Sequence, residues 1–288
     1  YHFLVPDGGM TAYADDKVVR DLRPEDTERL RAWRKALTQP YSEAEVEELV
    51  RLSDRVDQLW ERWATERVLR RKRLSQPIRL WGQERDEQLE AGGRDASATP
   101  RFLTVEECEE LIQERDKKET AGARLKRVMD YWCTLWFWPV LESGLAPTRA
   151  EWTAEVAALL EGGDEACAKL GEAAEERLRI VRDVTAAQRF FHWQLTFAEV
   201  FALRGGMDIF LGNPPWLKVE WQEAGILGDI EPLMNLRKLS AKQVADKRRE
   251  VLASEELADE YLGELAATQG QGAFIASGQN YPLLRGVQ

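Results

Sequence analysis

From Ser42 to about Leu74 the chain contains neither glycine nor proline. Nothing in that stretch breaks a helix, and Ser42-x-x-Glu45 opens it with the pattern of a capping box. Val46, Leu49, Val50, Leu59, Trp60 and Trp63 recur near helical spacing and give it one apolar stripe. A helix of this length spans roughly 50 Å. An earlier helix is predicted from about Glu25 to Leu37, closed by Pro40. Residues 1–23 read as irregular, with turn signals at Pro6-Asp7-Gly8-Gly9.

After Pro77 a short apolar piece reaches Trp81, and residues 84–100 read as a charged internal linker containing Gly92-Gly93. Thr104-x-x-Glu107 opens the next predicted helix. Further helices are predicted from Gly122 to Trp138, from the Thr148-x-x-Glu151 cap to near Gly162-Gly163, and from about Glu165 to Trp193. The pattern contains no convincing internal repeat. A length of 288 residues allows one large domain or two ordinary ones, and 44% hydrophobic residues suffice for a core.

The formal net charge of −11 is the wrong sign for a simple nucleic-acid coat protein, although a local basic face can act against an acidic background. Two histidines (His2, His192) and three scattered cysteines (Cys108, Cys133, Cys167) offer no metal site and suggest reduced thiols in a cytoplasmic setting. No apolar run reaches the ~18 residues of a membrane span. The start, at Tyr1 rather than Met, is not a signal peptide.

Near residue 205 the character changes. Met207-Asp208-Ile209-Phe210-Leu211 is a short run rich in strand formers, bounded by Gly205-Gly206 and Gly212, and reads as a buried parallel strand. A helix is predicted from about Ser240 to Ala267, and Phe274-Ile275-Ala276 as a last strand before a loop at Asn280-Tyr281-Pro282. The expected fold is thus mainly α, with a partial α/β, Rossmann-like element around residues 205–288. Residues 1–200 are expected to be a helical spacer, and residues 201–288 a second unit that holds the candidate catalytic residues.

Asn213-Pro214-Pro215-Trp216 follows the expected strand. A residue before proline is pushed to an extended conformation. The two prolines lock φ and offer no N–H, so the corner is stiff and its carbonyls point outward. Asn213 adds an amide and Trp216 a flat ring. An adenine amino group is a poor nucleophile, because its lone pair is delocalised into the ring. Two acceptors aimed at its N–H bonds, the Asn213 side-chain oxygen and the Pro214 carbonyl, favour a pyramidal nitrogen able to attack. The base must first leave the duplex, and Trp216 supplies a stacking plane at roughly 1–3 kcal/mol. No general base is obligatory.

This tetrapeptide resembles the Asn-Pro-Pro-aromatic signature of S-adenosylmethionine-dependent methyltransferases that act on amino groups. Its flanks, Phe191-His192-Trp193-x-Leu195-x-Phe197-x-Glu199-Val200-Phe201 and Gly206-x-Asp208, are similar to those of large type IIG-like restriction-modification methylases and of phage-defence methylases such as those of DISARM and BREX. The block Asp130 to Pro139 and the segment Asn280 to Gln288 carry the same resemblance, which is strongest over residues 125–288. The resemblance implies a DNA adenine methyltransferase with S-adenosylmethionine as cofactor. Asn213 and Pro214 would bind the amino group, Pro215 would shape the loop and Trp216 would stack on the base. Double-stranded DNA, and possible defence-system subunits, are the implied partners. The family's Gly-rich cofactor loop has no good copy here, since Pro6-Asp7-Gly8-Gly9 and Gly270-Gln271-Gly272 match weakly. The expectation is that it lies upstream of Tyr1, in an internal fragment inactive on its own.

Two basic runs stand beside this motif. Arg237, Lys238, Lys242, Lys247, Arg248 and Arg249 are candidate phosphate contacts. Arg67, Arg70, Arg71, Lys72 and Arg73 either complement the end of a long helix or touch DNA. A solvated helical face accounts for either run equally well, as it does for Glu106, Glu107, Glu109 and Glu110. His192 reads as a packed histidine, the cysteines as inert thiols, and Trp132, Trp136 and Trp138 as core. Two competing functions remain. One is methylation of a glutamine side-chain amide, whose N–H geometry is similar. The other is a non-catalytic interaction module, which the acidic charge and the missing loop favour.

Overall fold

The computed structural model describes residues 1–74, 120–213, 221–230 and 241–282. The expected linker at 84–100, the Thr104 cap, the acidic run, Cys108, Pro214, Pro215, Trp216, Arg237 and Lys238 lie outside them. The helices are α1 (Lys17–Leu22), α2 (Pro24–Leu37), α3 (Glu43–Leu74), α4 (Ala121–Thr134), α5 (Arg149–Ala168), α6 (Glu172–Gln188), α7 (Trp193–Thr196), α8 (Ala198–Arg204), α9 (Glu223–Ile230), α10 (Ala241–Val251) and α11 (Glu255–Ala276). Short 3-10 turns lie at His2–Leu4, Ala12–Asp15 and Val140–Leu145.

The long helix forms as its composition dictates. The Ser42 hydroxyl accepts the Glu45 N–H, and the Glu45 carboxylate accepts the Ser42 N–H. Leu52, Val56, Leu59 and Trp63 are buried on one face. Their spacing of four, three and four residues is that of a helix stripe. Val46 and Val50, expected in the same stripe, are exposed.

α4 lies across α3 at close range. A Cβ on Gly122 would stand 2.5 Å from the Trp63 ring, so glycine is what lets the two backbones approach. α4 packs in turn on α5 and α6. The segment after it, Leu135 to Trp138, fills the centre with fully buried rings. A burial this dense raises the question of the indole N–H groups, which usually find an acceptor when buried. Five find backbone carbonyls: Trp132 donates to Val5, Trp152 to Leu4, Trp138 to Glu142, Trp33 to Pro147 and Trp63 to Leu195, while the Trp136 N–H has no partner among the described residues. One set of side chains thus fills the core and anchors non-helical segments to it. Trp132, Trp136 and Trp138 are core residues, as their spacing predicts.

Beneath these rings lies a buried polar knot. Glu155 on α5 and Arg177 on α6 are 2% and 4% exposed, so their charges must answer each other. Arg177 Nε donates to Glu155 Oε1 at 2.8 Å, and the Tyr131 hydroxyl donates to Glu155 Oε2 at 2.7 Å. Arg177 Nη2 also reaches Glu151 at 2.9 Å. Glu151 completes the Thr148 capping box.

The structure corrects the fold expectation for residues 205–288. No β-strand occurs among the described residues, so the partial α/β, Rossmann-like element is not there. Residues 207–211 are neither helix nor strand. Ile209, Phe210 and Leu211 are 75%, 66% and 90% exposed, the opposite of a buried strand. A strand needs a partner ladder, and an apolar run alone does not supply one. Phe274-Ile275-Ala276 is the last turn of α11. Phe274 turns inward there, edge-on to Trp132 and Trp136.

The helix expected over 240–267 is two, α10 and α11, parted at Leu252 to Ser254. The helix expected over 165–193 is broken as well. α5 continues to Ala168, and α6 starts after Gly171, whose φ of 136° a side chain would resist. α11 packs into the same core as the first residues of the chain. A Cβ on Gly270 would stand 2.9 Å from the Trp136 carbonyl, Gln269 donates to Asp16, and Ser277 donates to Asp7.

Candidate functional site

α8 ends at Arg204 because Gly205 takes a left-handed turn, with φ 75°, and donates its N–H to the Phe201 carbonyl at 2.9 Å. The chain then leaves the helical body. Arg204 pairs with Asp208 at 2.9 Å across this turn, both side chains being exposed. The segment reaches Asn213, which is exposed. Of the four residues of the motif, Asn213 is the one described.

A second feature of this region was not read from the sequence as a site. Trp193 stacks on Phe197, with ring centroids 5.6 Å apart and planes 23° apart. Phe191 and Phe210 meet Trp193 edge-on, each at 5.0 Å. Phe191, Trp193 and Phe210 are exposed. The outgoing segment is thus held against an exposed aromatic cluster by Phe210. The sequence shows these rings, but only the fold brings residues 191–197 and 210 together.

His192, between two members of the cluster, points the other way. Its Nε2 lies 2.8 Å from Asp130 Oδ1, and both side chains are buried. Lys126 Nζ lies 2.6 Å from the other oxygen of Asp130. The histidine fixes the cluster's base to α4 and is a packed residue, as its neighbours suggest. Behind Gly205 lies a cavity of about 250 Å³, bordered by Trp60, Met129, Gln194 and Phe201.

The described cations of the second basic run lie on α10. Arg248 pairs with Glu223 at 2.7 Å, Lys247 with Glu250 at 2.7 Å and Arg249 with Asp246 at 3.1 Å. Lys242 is exposed. Tyr261 also donates to Glu223, so Arg248 is tied into the packing of α9 on α11. The first basic run meets α8: Arg67 holds Glu199 through two hydrogen bonds at 3.0 and 3.3 Å.

Cys133 and Cys167 are buried thiols, each pushed up to about 12 by burial. Among the described residues no group of histidines, cysteines and carboxylates is placed to hold a metal ion, and no helix is long and apolar enough to cross a membrane. Comparisons with protein-family models, curated proteins and solved structures find no match to this chain.

Proposed function

We propose that this chain carries the target-base corner of a DNA (adenine-N6) methyltransferase. The enzyme would transfer a methyl group from S-adenosylmethionine to an adenine extruded from the duplex, in restriction-modification or phage defence. The observation that carries this reading is the exposure of Asn213, first residue of the Asn213-Pro214-Pro215-Trp216 sequence. An acceptor sealed in a core could not meet a base, and Asn213 lies at the surface. Its side-chain oxygen and the Pro214 carbonyl accept the two amino hydrogens of adenine and free the nitrogen lone pair for attack. Trp216 stacks on the base and Pro215 keeps the corner stiff. Such stacking contributes roughly 1–3 kcal/mol, which offsets part of the cost of extrusion.

The described residues do not fit the cofactor. They contain no strand followed by a Gly-rich turn, the arrangement that cradles a nucleoside cofactor. The reading therefore assigns S-adenosylmethionine no residue among them, and no step is routed through it. It places the protein in the cytoplasm with double-stranded DNA as partner.

The all-helical architecture of the described residues favours one alternative, a non-catalytic interaction module. Incubation of the full-length protein that carries this chain with methyl-labelled S-adenosylmethionine and duplex DNA separates the two. Labelled N6-methyladenine in the digested DNA is the expected product. Absence of label from DNA favours the interaction module.

A further inference from the structure

The first basic run, left open by its sequence, acquires a shape in the fold. The C-terminal turns of α3 lie against α8, and a groove of about 460 Å³ opens between them. Arg71 and Lys72 border it from α3, and Arg204 borders it from the last turn of α8. Val68, Val200 and Leu203 form its apolar floor. One carboxylate lines it, Glu199, and Arg67 already neutralises that group. Neither Arg71 nor Lys72 has an ion-pair partner among the described residues. The Arg204–Asp208 pair is exposed on both sides and is therefore weak and easily exchanged. This groove thus gathers three exposed cations over an apolar floor, in a chain whose net charge is −11. On α10, Arg248 is held by Glu223 in a half-buried pair, and Lys247 and Arg249 stand in exposed pairs with Glu250 and Asp246.

We propose that the groove between α3 and α8 holds consecutive phosphates of the DNA backbone beside the target base, through Arg71, Lys72 and Arg204. The inference rests on the methyltransferase reading for its choice of polyanion. Its position suits that partner. Asn213 follows Arg204 by nine residues, and nine residues extend at most about 30 Å. One helical turn of DNA spans about 34 Å. A duplex seated in the groove therefore brings a base within reach of the corner without leaving the same turn. The exposed Trp193 cluster lies on the path between them and offers apolar surface to the opened strand.

The test uses the full chain and a fluorescently labelled DNA duplex of about two helical turns, with binding read by anisotropy over a salt series. Replacing Arg71, Lys72 and Arg204 together by glutamine (R71Q/K72Q/R204Q) removes exposed charge without touching the core. It is expected to weaken low-salt binding by at least about tenfold and to flatten the plot of log K against log salt by about 2–3. A charge-matched R29Q/R51Q/R182Q variant, at exposed positions away from the groove, is expected to bind within about twofold of the parent. Unchanged affinity and slope in the groove variant, no duplex binding at low salt by the parent chain, or an equal loss in the charge-matched variant would overturn the proposal. Duplex binding that depends on the three cations, in a chain that methylates no adenine, would keep the groove and remove the methyltransferase reading. Methylation that needs Asn213 but tolerates the groove variant would do the reverse.

Discussion

Arg177 Nη2 lies 2.5 Å from Glu155 Oε1, and both residues are almost wholly removed from water. Burial works against the guanidinium charge, but the hydrogen bonds Arg177 donates to Glu155 and the negative charge there outweigh it and raise the Arg177 pKa. Breaking such a pair leaves one charge stranded in the core. Glu155→Gln is therefore expected to destabilise the protein by about 3–5 kcal/mol. Tyr131→Phe, which deletes one neutral donor to the same carboxylate, is expected to cost about 1 kcal/mol. Urea denaturation of the two variants measures both, and equal small losses would show that the knot contributes little.

The same knot predicts an acid limit. Burial raises the Glu151 carboxyl, but hydrogen bonds from Thr148 and the charge of Arg177 outweigh it and hold the group below its ordinary 4.5. A carboxyl lowered in the folded state stabilises the fold above its unfolded value. That contribution is lost as pH falls through the folded value, below about 4.5. Thr148→Ala is expected to reduce stability by about 1 kcal/mol at neutral pH and to soften the acid-induced decline. Thermal melts from pH 7 to pH 3 check this, and parallel curves for parent and variant would contradict it.

Thiol chemistry should follow burial. Cys133 and Cys167, pushed up to about 12, hold almost no thiolate at pH 8. In a Cys108→Ser background the native chain is expected to leave a disulfide reagent unreacted, and denaturant should release two reactive thiols. Prompt reaction in the native state would show that the central helices open readily.

Two glycines should refuse alanine. At Gly122 a Cβ meets the Trp63 ring at 2.5 Å, and at Gly270 one meets Phe137 at 2.8 Å and a backbone carbonyl at 2.9 Å. Either substitution is expected to cost about 1–3 kcal/mol by forcing helices apart. Gly144, with nothing within 4 Å of a built Cβ, is expected to tolerate alanine within about 0.5 kcal/mol. Denaturation midpoints for the three variants test the contrast.

Local signals were legible in the sequence where local forces decide the structure. The Ser42–Glu45 and Thr148–Glu151 boxes mark their helix starts because each is a reciprocal contact across three residues. The spine from Glu43 to Leu74 follows from the lack of any breaker. The expected strands failed because a short apolar run carries no period of its own. Phe274 belongs to a helix face, and Ile209 to Leu211 belong to no ladder at all. The break before α6 was missed because it turns on the backbone of Gly171, not on composition.

The site divides in the same way. Asn213 is legible as a motif residue, since its chemistry lies in adjacent positions. The stacking of Trp193 on Phe197 beside Phe210 is tertiary, and so is the meeting of Arg204 with Arg71 and Lys72. Neither arrangement leaves a spacing to read.

The most direct measurement is adenine methylation by Asn213 variants of the full protein, compared at equal folded concentration. Asn213→Ala removes the side-chain acceptor and is expected to lower the rate by about 10²-fold or more, with duplex affinity unchanged. Asn213→Asp keeps an acceptor oxygen and is expected to retain a larger share of the rate. Methylation undiminished in Asn213→Ala would contradict the assignment of this corner to the target base.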